Sequence, residues 1–403
     1  RNMSYILELI SEEKLNVKPL ISDIFLFEDC QNAYSNLLKN PLQNLTALLK
    51  CNGDYEKLEK VHKKENKDKT KQTKINIGLI GCGSFVKGTH MPIFLENSHL
   101  KIRAIATKTK DSAELCKNNY SPNYATLDYT DLLEDQKLDL ISIYTRHNTH
   151  AKFATDCLKA GKNVYVEKPM GLNIEECLRV YNLVQEKENF YTIGFNRRYS
   201  KLIQVAKDLL KKRTNPINLT YRISSNFIRG DSWIFHPNIG GGPLIGELCH
   251  FFDLVLYLID SDPEELIAQG GNLSHKNIST YDTCNCILKF ENGSIATIIY
   301  NFLNSPETPK ERIEIFSGES SIIIDNFNRM ETSGFDFGNI KLSSQDKGHK
   351  SEITTIIKHF IDDKKVLVNA LDGVKAMDLC FKSIESIKSD KKIKVNFKKL
   401  VKK

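Results

Sequence analysis

Lys168 ends a short apolar run, NVYVEK (163–168), and is followed by Pro169. A lysine at the carboxyl end of a parallel strand stands where open α/β sheets bind their ligands. Its ammonium can hydrogen-bond an oxygen on which negative charge develops. Glu247 and His250 lie three residues apart in ELCHFFDLVLYL (247–258), so on a helix both leave from one face. An imidazole, with an unperturbed pKa of ~6.5, suits proton transfer near neutrality. Upstream, GLIGCGSFV (78–86) places Gly81 and Gly83 directly after an apolar run. Gly81 permits a tight turn, and Gly83 lets a pyrophosphate approach the backbone where a helix begins. Val86 stands where a third glycine is usual, which predicts a helix held further from its strand.

These residues need a frame. From Lys74, the strands INIGLI (75–80), IRAIAT (102–107), LDLISIY (138–144), NVYVEK (163–168) and YTIGF (191–195) alternate with helical patterns, which predicts β-α-β units and a parallel sheet. After about residue 215 the pattern turns β-rich: INLTYRISSNF, DTCNCILKF, SIATIIYNF, RIEIFSG and SIIID have few helices between them. Asn292-Gly293 between two of these marks a hairpin, since both turn positions favour positive φ. Two helices near 351–362 and 370–388 close the pattern. The expected fold is an α/β Rossmann domain (doubly wound parallel sheet, 74–195) followed by an α+β substrate and oligomerisation domain with a large open, mostly antiparallel sheet (196–390). A basic tail is expected over 391–403.

The 403 residues carry a net charge of +7, but its location matters more than its size. Nine lysines against two acids in 382–403 give +7, and eight against four in 56–74 give +4, so the remaining body sums to −4. Such runs read as solvated segments, and no aromatic residues alternate with lysines, so nucleic acid is not an expected partner. No apolar run approaches the ~18–20 residues of a membrane span. None of the ten cysteines forms a Cys-x-x-Cys pair, so no metal site is expected. Cys284 and Cys286 share a face of an alternating strand, and the set reads as reduced core thiols of a cytoplasmic protein. No charged-then-apolar leader opens the chain, and its first residue is Arg1, so an upstream part is expected to be missing.

The segment YTRHNTHAKFATDCLKAGKNVYVEKPMG (144–171) resembles the glucose-fructose oxidoreductase / inositol dehydrogenase (Gfo/Idh/MocA) family, in which T-x-x-x-x-H-A and A-G-K-x-V-x-x-E-K-P follow the dinucleotide glycines at this distance. The resemblance covers roughly 74–390. It implies an NAD(P)-dependent oxidoreductase acting on a secondary alcohol or ketone of a sugar, sugar nucleotide or cyclitol. The cofactor would be lined by Gly81, Gly83, Ser84, Phe85, Thr107, Lys108, Thr145, His150, Glu167, Lys168 and Pro169. An acid usually ends the second strand to hold the ribose; here Thr107-Lys108-Thr109-Lys110 stands there, which suits a 2′-phosphate or a plain solvated turn equally, so NAD and NADP both remain open.

In IGGGPLIGELCHFFD (239–253), His250 matches the family's catalytic histidine and Asp253 the acid after it. The family's aspartate four residues before the histidine is replaced by Gly246, with Glu247 beside it as a candidate substitute. Lys168, His250 and Glu247 are therefore the expected catalytic set. Arg197, Arg198, Trp233 and Asp253 are the expected substrate contacts.

Residues 1–52 resemble the closing segment of zinc-type medium-chain alcohol dehydrogenases without their zinc ligands, and 53–73 read as a charged linker. Two rivals share the fold: a nucleotide- or sugar-sensing regulator, against which Lys168 and His250 together argue, and an NAD-dependent glycosidase, which release of a reporter phenol would reveal. A homo-oligomer is expected because a broad open sheet face commonly pairs with a second copy.

Overall fold

The computed structural model describes residues 6, 9–10, 14–39, 46–50, 74–187, 189–212, 214–305 and 307–401. The chain divides into two units, Arg1–Gln72 and Thr73–Lys403. The linker read at 53–73 lies outside the described residues. In the first unit, β1 (Asp23–Leu26) pairs in parallel with β2 (Ala47–Lys50), and the helix Cys30–Lys39 lies between them in sequence.

The second unit opens with a six-stranded parallel sheet: β3 (Ile75–Ile80), β4 (Leu100–Ala106), β5 (Tyr124–Thr126), β6 (Leu140–Ile143), β7 (Asn163–Val166) and β8 (Tyr191–Ile193). Their order is β5-β4-β3-β6-β7-β8, so the chain reverses direction across the sheet between β3 and β6. That reversal leaves a crevice at the carboxyl edge, where the loops after β3 and β6 diverge. The near-continuous apolar runs are what a sheet covered on both faces requires. β7 stops at Val166, two residues before the run predicted, which releases Glu167 and Lys168 into a loop with a cis Lys168–Pro169 bond.

The second sheet has nine strands: β9 (Asn218–Ser224), β10 (Pro263–Gly271), β11 (Thr283–Phe290), β12 (Ile295–Asn301), β13 (Glu311–Ser317), β14 (Ser320–Asp325), β15 (Arg329–Ser333), β16 (Ile340–Lys341) and β17 (Ile393–Lys394). All neighbours are antiparallel except β9 and β12. Buried and exposed residues alternate along β11, β12 and β13, as a sheet with one covered face demands. β10 escapes sequence reading because two glutamates and two glycines dilute its alternation. Gly293 adopts φ +83° in the β11–β12 turn, the value its hairpin position needs.

Helix Leu248–Ile259, apolar except for His250 and Asp253, is buried between helix Ala370–Ser389 and the sheet. One hydrophobic core runs from Ile143 and Val166 of the first sheet through Phe251 to Ile298 of the second, so the two layers share an interior. The segment 391–403 is not a free basic tail over its described part. Ile393 and Lys394 pair with β10, and Val395 and Phe397 are buried, because alternating apolar residues among the lysines give it one face to bury.

Candidate active site

Gly81 follows β3 at φ +92°, and a Cβ there would stand 2.5 Å from the Tyr144 carbonyl oxygen, so the turn onto the first helix admits glycine alone. Gly83 is the opposite case: nothing lies within 4 Å of a Cβ built on it, so its backbone faces open space that a pyrophosphate can enter. Ser84 and Phe85 are exposed beside it. Val86 is fully enclosed, and Val86–His90 runs as a wide π turn. The widened turn accommodates the side chain that the missing glycine would have spared. Thr107 is buried and donates through Oγ1 to the Thr109 carbonyl at 3.1 Å, whereas Lys108 is exposed.

At the next strand ends, the loops after β6 and β7 are tied together by a histidine. Nδ1 of His150 lies 2.9 Å from the Pro169 carbonyl and Nε2 lies 3.1 Å from the Thr145 carbonyl. His150, expected beside the cofactor, is 1% exposed and ties those two loops together. The Thr145 hydroxyl, half-buried, accepts from Thr149 Oγ1 at 2.6 Å. Glu167 is buried, accepts from the Tyr165 hydroxyl at 2.8 Å, and is pushed by burial up to about 7 despite Lys168 beside it.

Lys168 reaches across from the loop after β7 to the turn that opens helix Leu248–Ile259. Its Nζ donates to Glu247 Oε1 at 2.7 Å and to the Gly246 carbonyl at 3.1 Å. Burial disfavours its charge, but Glu247 outweighs that and raises its pKa above the usual lysine value. Burial alone would push Glu247 up; Lys168 and then Lys310, at 3.6 Å, hold it well below the usual carboxylate range. The pair is therefore ionised.

One turn beyond Gly246, His250 is buried, and its Nδ1 has no hydrogen-bond partner among the described residues. Burial first, then Arg197, Lys168, His349 and Lys310, lower its pKa well below 6.5. Both burial and these cations favour the uncharged imidazole, whose Nδ1 can accept a hydrogen bond.

Where the expected aspartate is missing, a histidine has moved in. A Cβ on Gly246 would lie 2.6 Å from His147 Cε1, so the His147 ring occupies the space of that side chain. His147 Nδ1 lies 2.8 Å from the Gly240 carbonyl, and Trp233 packs edge-on to the ring at a centroid distance of 4.8 Å. Sequence reading passed over His147, although its place at the first turn of a helix, three residues before His150, was visible. Trp233 thus touches the site through His147, with Arg146 over its ring at 5.6 Å.

Arg197, Arg198 and Asp253, three of the expected substrate contacts, are all held in ion pairs within the protein. Arg198 donates to both oxygens of Asp253, at 2.9 and 2.6 Å, and Asp253 is wholly buried. Arg197 donates to both oxygens of Glu311 at 2.8 Å. Burial opposes each guanidinium's charge, but Asp253 and Glu311 hold it in place. These side chains are spent on each other: Arg198 and Asp253 brace the His250 helix, and Arg197 joins the site through Glu311. Nothing in the local sequence marks Glu311, Lys310, Lys347 or His349 as their neighbours, since they arrive from distant segments.

Behind the site, ligand-type atoms of His90, His349 and Glu352 lie within 4.8 Å of one another. His90 Nε2, His349 Nδ1 and both Glu352 oxygens have no hydrogen-bond partner among the described residues. Burial raises Glu352 well above the usual range and lowers His90 to about 3 and His349 to about 4, in each case favouring the uncharged form.

Residues 75–195 match the oxidoreductase family with an NAD-binding Rossmann fold, and 215–323 match the GFO/IDH/MocA C-terminal domain. The chain belongs to the GFO/IDH/MocA oxidoreductase family. It is an oxidoreductase acting on CH–OH groups, and its first sheet is the NAD-binding domain. It is 25% identical over 336 residues to the myo-inositol 2-dehydrogenase of Thermotoga maritima, a match that covers 80% of this chain and 98% of that one. Among solved structures, an oxidoreductase domain protein from Kribbella flavida superposes with a TM-score of 0.74 at 16% identity, over 80% of this chain and all of that one. A levoglucosan dehydrogenase in complex with NADH superposes with a TM-score of 0.70 at 20% identity, over 80% and 99%. The family match lies within the second unit.

Proposed function

We propose that this oxidoreductase moves a hydride between a nicotinamide and a secondary alcohol or ketone of a sugar-like or cyclitol-like substrate, with Lys168 and His250 handling the oxygen and its proton. The observation that carries the reading is the Lys168–Glu247 ion pair, which bridges the parallel sheet's carboxyl edge to the turn preceding His250. Gly83, open to solvent after the constrained turn at Gly81, fits the pyrophosphate of NAD or NADP. The bound dinucleotide supplies the hydride acceptor or donor. Neutral His250 takes the hydroxyl proton during oxidation, and the Lys168 ammonium donates to the same oxygen as it gains negative charge. Glu247 keeps Lys168 charged and aimed. His147, filling the space beside Gly246, is a positioning residue.

Several finer statements belong to the same proposal. Thr107 and Lys108 bear on NAD against NADP. Ile267 and Ile287 face each other on adjacent strands and are exposed, as are Ile295 and Phe316, which favours a second copy docking on the open sheet. Among the described residues no helix is long and apolar enough to cross a membrane. The nine described cysteines are unpaired, which favours a cytoplasmic location. The first unit, on its sequence resemblance, derives from the end of a zinc-type dehydrogenase, a pairing that fits work on surface polysaccharide precursors.

The test is a fluorescence titration with NADH and with NADPH, followed by a turnover screen of sugars and cyclitols. Lys168→Ala should bind cofactor normally and lose turnover by about a hundredfold or more. Substantial turnover in that variant would remove Lys168 from the chemistry.

A further inference from the structure

We propose that the substrate of this site carries a negative charge, a carboxylate or a phosphate, held by Lys310 and Lys347; the inference rests on the oxidoreductase reading above. Four cations from four separate segments gather on Glu247 and Glu311, three of them acting on His250 as well. Lys168 follows β7, Arg197 follows β8, Lys310 precedes β13, and Lys347 precedes helix His349–Ile361. Two carboxylates serve all four. Glu247 is shared by Lys168 at 2.7 Å and Lys310 at 3.6 Å. Glu311 is shared by Arg197, through two bonds of 2.8 Å, and Lys347 at 3.0 Å, and it also accepts from the Tyr221 hydroxyl.

The other groups that face this cluster do not balance it. His250 and His349 are neutral, Glu167 and Glu352 are pushed by burial toward their protonated forms, and Asp253 is occupied by Arg198. Four cations thus share two directly paired carboxylates, and Asp346, which acts on His349, is the further acid beside them. Lys347 carries the mark of the excess: burial first, with Arg197 and Lys310, brings its pKa below the usual lysine value although Glu311 touches it. The Lys310 and Lys347 side chains are 31% and 21% exposed, enough to meet a ligand while partly shielded from water. Unbalanced charge in such a setting is costly unless a ligand completes it. An oxidised nicotinamide, itself cationic, adds to the excess.

The experiment measures binding of matched pairs to the full chain with NADH present, by calorimetry: glucose against glucuronate, glucose against glucose 6-phosphate, and UDP-glucose against UDP-glucuronate. The member with the added anion should bind at least about tenfold more tightly in one or more pairs, and the uronate and phosphate arms distinguish the two chemistries. Lys310→Met with Lys347→Met should abolish that preference while leaving NADH affinity and the melting temperature near wild type. Equal or weaker binding of every anionic member, or a preference that survives the double substitution, overturns the proposal. Loss of NADH binding by the wild-type chain would instead overturn the oxidoreductase reading on which it rests.

Discussion

Replacing Glu247 by glutamine keeps the shape of the Lys168 contact and removes its charge. Nζ and Oε1 stand 2.7 Å apart with side chains 17% and 28% exposed, so the pair is partly shielded but not dry. A hydrogen bond to a charged group in such a setting is worth about 1.5–3 kcal/mol, or roughly tenfold to a hundredfold in the proton affinity of the lysine. Burial is the largest influence on Lys168 and acts against its charge; with Glu247 gone, it prevails. The ammonium should then deprotonate at distinctly lower pH. Competitive acetylation of the folded protein across an alkaline pH series, read by mass spectrometry at Lys168 and at an exposed lysine such as Lys108, measures this without a substrate. An unchanged Lys168 profile in Glu247→Gln would show that Glu247 does not govern the charge of Lys168, and the assignment of its role would fall.

Gly81→Ala and Gly83→Ala should separate stability from binding. The first meets the Tyr144 carbonyl at 2.5 Å and strains a φ of +92°, so thermal melting should fall together with NADH affinity; the second meets nothing and should lower NADH affinity at an unchanged melting temperature. Arg197→Met leaves Glu311 buried without its main partner and should cost about 3–5 kcal/mol in chemical denaturation. Glu352 has a folded pKa raised above its unfolded value of ~4.5, so its contribution to stability should be lost as pH rises beyond that value, and Glu352→Gln should flatten the stability–pH curve on that side. His250, lowered well below 6.5, should give an oxidation rate with no imidazole break near 6.5; a limb near 7 that disappears in Glu167→Gln would belong to Glu167 instead.

The sequence by itself determined the frame. Short apolar runs separated by helical patterns admit one economical arrangement, a parallel sheet with helices on both faces. Gly81, Gly83 and Lys168 sit at strand ends, so their places at one sheet edge follow from the period of the chain alone. The alternation in β11 to β14 likewise announced a sheet with one covered face. Those signals are local, and local periodicity survives without tertiary context.

What the tertiary structure decided is everything that depends on charge partners distant in sequence. Arg197 and Arg198 read as substrate contacts, and nothing nearby indicates that Glu311, 114 residues on from Arg197, and Asp253 take both guanidinium groups. Gly246 read as a lost carboxylate, and only packing shows that the His147 ring fills its space while Glu247 turns to Lys168. The basic end of the chain read as solvated because lysines outnumber its apolar residues. Yet the period-two spacing of Ile393, Val395 and Phe397 needed only the exposed edge of β10 to become structure. Periodicity is written residue by residue. Ion pairing and cavity filling are settled when segments far apart along the chain meet in a shielded interior, where an unmatched charge or an empty space costs too much to leave.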